Sequence, residues 1–368
     1  MTETKMKIKT LKSGERVIQD PSVTYQRIYM IFYWCVNIGA LSLIATVFME
    51  KYKGFWTVNL LGLCAFLVGF ATLLLGRKYY VTRPPQGSIL PHAAQALWIA
   101  FRHGRSLESA RPSYQAGTPA SFLPTTSLTP YHSILHREPQ LTIESEHGQK
   151  YHTPWPETFP AELRRALVAC KVFIFYPIFW VIYNQLSSNF VAQAGQTKLH
   201  GMPNDEMQNI DPIVIIIFIP VLDKFVYPLL RRHGFPMYPI TRITWGFILA
   251  GVSMAFAAIV QHEIYIRPPY YNMPTEGDGG NDIHVAVQTP GYLFIGLAEI
   301  FASVTGLEYA FTKAPASMKS FIMSMFLFTN AGGSILGIGV SAVAEDPKFV
   351  WFYTGLCVAD VVATAIFW

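Results

Sequence analysis

Charge is scarce in this chain. Only 14% of its 368 residues are Asp, Glu, Lys or Arg, while 51% are hydrophobic and the mean hydropathy is positive. Water-soluble domains carry about a quarter charged residues, so a soluble fold of this length is excluded. Cysteine is scarce too. The four present (Cys35, Cys64, Cys170, Cys357) fall in or beside apolar runs, with no metal-ligand spacing. That pattern argues against a disulfide scaffold and a metal site, and predicts free, buried thiols. No short apolar run of signal-peptide type opens the chain, because the first run begins near Ile28 and already has the length of a membrane span.

Long apolar runs are abundant. Eight are predicted to cross a bilayer: Ile28–Met49, Phe55–Gly76, Val172–Gln193, Pro212–Leu230, Ile243–Tyr265, Gly291–Phe311, Ser320–Val343 and Phe349–Phe367. Each is near the roughly 20 residues that a helix needs to span the hydrocarbon core. With the N-terminus in the cytosol, 22 of the 28 Lys and Arg residues fall on the cytosolic side and 5 on the other (Lys51, Lys53, Lys198, Arg267, Lys348). This bias predicts a multi-pass protein with both termini cytosolic. Acidic residues, Asp211 among them, collect on the outer side. The net charge of +5 is then a product of topology, and no nucleic-acid partner is read from it.

The runs are unevenly spaced. Residues 1–27 form a basic cytosolic leader, and 28–76 hold two helices joined by a short turn. Residues 77–171 form a long cytosolic linker rich in Pro, His and Ser. Within it, 91–104 places Leu97, Trp98 and Phe101 on one side of a helix. Such a helix either lies on the membrane surface or packs on the cytosolic ends of the bundle. Ala161–Lys171 is expected to lead into the third span, and 172–368 forms a six-helix bundle.

Polar groups inside the spans are the candidate functional residues, since each needs a partner or a wet cavity. Tyr29, Tyr33 and Asn37 recur every four residues in the first span. They define either an aromatic packing face or a cavity wall. In the third span Tyr176, Trp180, Tyr183, Asn184 and Ser187 share a face, flanked by Gln185 and Asn189. That face is either a polar cavity wall or glue between helices.

Glu299 sits in the middle of the sixth span, and Ser303 and Gly306 share its face, leaving room for a ligand. Glu308 is nine residues on. In a regular helix that puts it on the opposite face, roughly 13 Å along the axis. Its expected partner is Lys313 or Lys319. Asp223 and Lys224 interrupt the fourth span and are expected to be structural or to reach for the interface. The seventh span carries Thr329, Asn330, Gly332, Gly333, Ser334, Gly337 and Gly339, the small-residue surface of a closely packed or moving helix.

These residues also carry a resemblance. Tyr29–Leu41 (YMIFYWCVNIGAL) resembles the fifth-helix signature of the proton-dependent oligopeptide transporters. Phe175–Gly195 resembles that family's seventh helix, and Glu299–Tyr309 with Lys313-Ala314-Pro315 its tenth. Asn209–Pro220, Met318–Ser334 and the RPPQGS of Arg83–Ser88 are similar to fungal members. The resemblance implies an all-α polytopic protein with a partial major facilitator fold. Its eight helices would match helices five to twelve of twelve, with the first four absent. It further implies a plasma-membrane symporter of di- and tripeptides with protons as coupling ion and no cofactor. Glu299 would bind the peptide amino terminus, with Asn37 and Trp180 lining the site. Asp211 falls where relatives carry a pocket Asn, and Phe326 where many bacterial relatives place a pocket Trp.

Two departures from the family pattern stand out. The acidic and basic cluster of helix one and the lysine of helix four have no counterpart, so a chain lacking them is expected to be impaired or inactive on its own. Residues 117–145 form an atypical insertion with the composition of a loop, read as a retained intron. The alternatives are the same scaffold carrying another solute, such as nitrate, and a truncated, non-transporting membrane protein.

Overall fold

The computed structural model describes residues 7–10, 16–19, 21–80, 89–102, 106–115, 141–144, 150–153, 155–235, 237–276 and 279–368. A β-hairpin pairs β1 (Lys7–Thr10) with β2 (Arg16–Gln19), Lys7 facing Gln19. Helix α1 (Pro21–Ala40) starts inside the segment expected to be leader. Proline suits that first position, because its fixed φ is already helical and it lacks the N–H that would go unpaired. After α1 come α2 (Ser42–Lys53) and α3 (Phe55–Leu75). The turn between them is made by Gly54 at φ +84°, a conformation costly for any residue with a Cβ.

The central segment holds α4 (Ile89–Arg102), α5 (Pro112–Gln115) and the antiparallel pair β3 (Leu141–Glu144) and β4 (Lys150–Thr153). Next come α6 (Phe159–Cys170), α7 (Tyr176–Tyr183), α8 (Asn189–Gly195), β5 (Thr197–Lys198), α9 (Ile210–Val221) and α10 (Tyr227–Arg232). The chain continues through α11 (Pro239–Tyr265), β6 (Asn281–His284), α12 (Thr289–Glu299) and α13 (Thr305–Lys313) to α14 (Lys319–Ser341) and α15 (Phe349–Phe367).

Among the described residues, eight helical runs are long and apolar enough to cross a membrane, and each contains one of the eight expected spans or nearly so. Boundaries move where polar residues wind into helix. The fourth run begins at Asn204, because a 3-10 turn over Asn204–Asn209 precedes the apolar stretch. The third begins at Phe159.

The chain divides into two compact units. The first comprises 1–82, 173–312 and 326–368. Its centre is α11, packed against α12 and α15, while α9 packs against α12 and α1. Phe247, Met254, Tyr292, Ile295 and Tyr353 are fully enclosed there. Gly246 permits the closest approach, since a Cβ on it would stand 2.7 Å from the Cβ of Ala302. A chain of buried amides ties one end of the unit together. Gln288 donates to Gln193 Oε1 (2.8 Å), Gln193 to Gln261 Oε1 (2.8 Å), and Gln261 to Gln196 Oε1 (2.6 Å).

The second unit comprises 83–172 and 313–325. In α4 the alanines Ala93, Ala96 and Ala100 are buried, whereas Trp98 and Phe101 are exposed. The packed side is thus the small-residue side, because alanine lets backbones come close. The indole of Trp155 is enclosed and donates to the Ala110 carbonyl (3.1 Å). Arg83–Ser88 and all of 117–145 except Leu141–Glu144 lie outside the described residues.

Candidate functional site

Glu299 is the last residue of α12 and is only 4% exposed. Tyr33, reaching across from α1, donates its hydroxyl hydrogen to Glu299 Oε1, in a short contact. Glu299 Oε2 has no hydrogen-bond partner among the described residues. Tyr183 and Asp211 face the same carboxyl, and Ser303 lies beside the Tyr33 hydroxyl. Asn37, one turn beyond Tyr33, is buried and donates its amide to the Tyr33 carbonyl (3.0 Å). The neighbouring Trp34 donates its indole N–H to the Ile216 carbonyl on α9 (3.0 Å), which fixes the rotation of α1 there. Glu299, Tyr33, Tyr183 and Ser303 are therefore brought together from three separate spans, while the amide of Asn37 is turned back onto its own helix.

Asp211, counted among the outer-side acids and matched to a pocket Asn of relatives, is buried near the start of α9, its Oδ1 3.0 Å from where a Cβ on Gly296 would stand. Glycine one turn before Glu299 makes the room for it. Two carboxyl groups facing one another with two phenols, away from water, can share a proton or hold a cation between them.

An aromatic wall adjoins this cluster. Trp180 donates its indole N–H to Thr329 Oγ1 (2.9 Å) on α14, and its ring stands 5.6 Å from Tyr183 and 6.4 Å from Phe326. Phe326 packs edge-on to Tyr176 at 5.1 Å. Gly333 makes the α7–α14 contact possible, as a Cβ there would lie 2.4 Å from the Cβ of Trp180. Gly332 similarly meets Pro177, whereas Gly337 and Gly339 face open space.

The structure corrects several expectations. The face proposed for the third span does not run its full length. A 3-10 turn over Asn184–Ser187 rotates the remainder of the span, so Gln185 is buried and bonded to the Val181 carbonyl (2.7 Å), while Ser187 is exposed. Asn184 opens that turn and is half-buried. Gly306 leaves no room for a ligand, because the Tyr176 hydroxyl and the Phe326 ring fill the space where its Cβ would be.

The opposite-face relation of Glu299 and Glu308 also changes. A π-turn over Ile300–Val304 adds a residue to the turn between them and rotates α13 by roughly 100° relative to a regular helix. Both acids are consequently buried. Glu308 is met by Arg242 of α11, through two bonds of 3.0 and 3.1 Å, and not by the lysine pairing expected. A count of charges by loop puts Arg242 outside the bundle. Pro239, however, starts α11 earlier than its apolar run and carries Arg242 inside. A basic residue one turn past a helix-opening proline is the signal in the sequence.

Asp223 pairs with Arg27 (3.5 Å), and Lys224 is exposed. The four cysteines are free, but Cys35 and Cys64 are exposed. Lipid accepts a thiol as readily as a protein core does, so nothing forces them inward. No cluster of metal-ligating side chains occurs among the described residues.

Comparison with known proteins places this geometry. Residues 12–356 match the family model described as PTR2, the POT family. The chain is 46% identical over 371 residues to the peptide transporter PTR_A of Candidozyma auris, covering 100% of this chain and 57% of that protein. It is 44% identical to the peptide transporter PTR2 of Saccharomyces cerevisiae, covering 99% and 55%. It therefore spans little more than half the length of these relatives. In fold it is similar to the POT family transporter PepTSo, solved in meso (TM-score 0.64, 17% identity, 93% of this chain and 70% of that one). It is also similar to an auto-inhibited POT family peptide transporter (TM-score 0.61, 21% identity, 92% and 69%). Family model, relatives and fold agree: this chain belongs to the POT family of membrane transporters.

Proposed function

We propose that this chain supplies helices five to twelve of a proton-coupled symporter of di- and tripeptides that works by alternating access in the plasma membrane. The observation that carries the reading is Glu299, buried in its span with one oxygen unpartnered among the described residues and with the phenols of Tyr33 and Tyr183 facing it. A carboxylate so placed suits a peptide amino terminus, because a desolvated ammonium needs an anion and hydrogen-bond acceptors. Tyr33, Asn37, Trp180, Tyr183, Asn184, Ser303 and Phe326 line the site, and Asp211 is the neighbouring acid through which the coupling proton passes. Glu308 with Arg242, and Asp223 with Arg27, hold helices in place, while Lys224 reaches toward the interface. Residues 77–171 form the cytosolic linker, with the aromatic side of α4 on the membrane surface, and both termini are cytosolic. Family membership and the relatives' names support peptides over another solute such as nitrate.

A second reading is a membrane protein that binds peptide without transporting it. The test expresses the chain in cells deficient in peptide uptake and tracks a labelled dipeptide at acidic and neutral external pH. In parallel, the melting of purified protein is measured with dipeptide or nitrate. Acid-stimulated uptake that Glu299→Gln abolishes supports the symporter. Dipeptide stabilisation lost in Glu299→Gln, without uptake, supports the second reading. Absence of both uptake and dipeptide binding would overturn the peptide assignment, and stabilisation by nitrate alone would redirect it.

A further inference from the structure

One charged pocket takes no part in the Glu299 site. It lies where the start of α1 meets the end of the α9–α10 run, and its cavity is about 330 Å³. Gln26, Arg27, Asp223, Tyr227, Arg231 and Arg232 line it. Asp223 is placed there by a π-turn over Leu222–Val226, a local widening of the helix that often marks a functional position. Its salt bridge with Arg27 neutralises one arginine. Arg231 and Arg232 remain, both exposed, to give the pocket a net positive charge. Tyr227 is buried and packs on the inner side of the pocket, beside Arg242.

Position selects the ligand. Arg27 sits in the first turns of α1 and Arg232 ends α10, so the pocket lies at the level where apolar helix gives way to polar headgroup. Towards the middle of the same spans, Ile31, Phe32, Phe225 and Leu229 are exposed and apolar, a surface suited to acyl chains. Guanidinium groups match a phosphate through paired N–H donors. The cavity falls at the small end of the ~300–1,000 Å³ typical of ligand sites.

We propose that this pocket binds the phosphate headgroup of an anionic phospholipid. Arg231 and Arg232 grip the phosphate, and the acyl chains run along the exposed faces of α1 and α10. The site reaches the bundle interior through Tyr227, whose ring stands 5.6 Å from the Arg242 guanidinium that holds Glu308.

The test uses the whole purified chain, equilibrated with equal amounts of phosphatidylserine and phosphatidylcholine, and counts retained lipid by native mass spectrometry. Phosphatidylserine is expected to be enriched on the order of 10-fold, since two arginines each contribute to headgroup attraction. Arg231→Gln with Arg232→Gln, both exposed and so tolerated by the fold, removes the enrichment. Lys53→Gln with Lys348→Gln, the same charge loss elsewhere, leaves it intact. Equal retention of the two lipids by the unaltered chain overturns the proposal, as does equal loss in the lysine control. Displacement of the lipid by millimolar inorganic phosphate overturns the lipid as ligand and reassigns the pocket to a soluble anion.

Discussion

The spans Phe55–Tyr79 and Val285–Lys313 are both long enough to cross a bilayer, yet they sit in opposite surroundings. None of the first is buried against protein in its most apolar window, and 72% of the second is. The more apolar helix is the exposed one. In water that ordering would be reversed, because burial tracks apolarity. In lipid an apolar face has nothing to gain from a protein neighbour, so small residues for close packing and polar groups that need partners draw a helix inward. The Val285–Lys313 span has both, in Gly296, Gly306, Glu299 and Glu308, whereas Phe55–Tyr79 has small residues such as Gly62 and Gly69 but no carboxyl, so the acids make the difference.

That contrast can be broken experimentally, most severely at the ion pair. Arg242→Ala should destabilise the detergent-solubilised protein by about 3–5 kcal/mol, since it leaves Glu308 charged and unpaired in the interior. Thermal unfolding reads this, and adding Glu308→Ala should recover most of it. Little recovery would mean that Arg242 acts chiefly through Tyr227. Gly306→Leu should cost about 1–3 kcal/mol by forcing Tyr176 and Phe326 apart. A neutral result there would show that the aromatic wall adapts. Thr329→Val removes the acceptor of the Trp180 indole and should cost about 1 kcal/mol, checked by the same melt and by Trp fluorescence. Leu67→Ala in α3 should be smallest, within about 0.5 kcal/mol. A larger loss would show that this face is covered by something in the folded protein.

The eight spans are legible in the sequence because span length and apolarity are local properties, readable without knowing any neighbour. Glu299 is legible for the same reason: a carboxyl in the middle of an apolar run must have a use or a partner. Tyr33 and Asn37 are placed by their spacing on one helical turn. The inferences that fail are those that extend a regular helix too far. The π-turn after Glu299 and the 3-10 turn at Asn184–Ser187 each change the angular phase, so Glu308 and Ser187 lie on other faces than a constant 100° step assigns. Counting charges by loop likewise does not show that Arg242 and Asp211 are buried, because helices here begin before their apolar runs do.

Taken by itself, then, the sequence determined a multi-span membrane protein, the number of its spans and an intramembrane acid in the sixth. Composition along a single helix decides those, through the cost of placing each group in hydrocarbon. Only the tertiary structure decided which groups meet: Tyr33 with Glu299, Asp211 beside them, Arg242 with Glu308. Such pairings join residues far apart in the chain, and their partners depend on how helices pack and where their turns loosen or tighten, which no local pattern records.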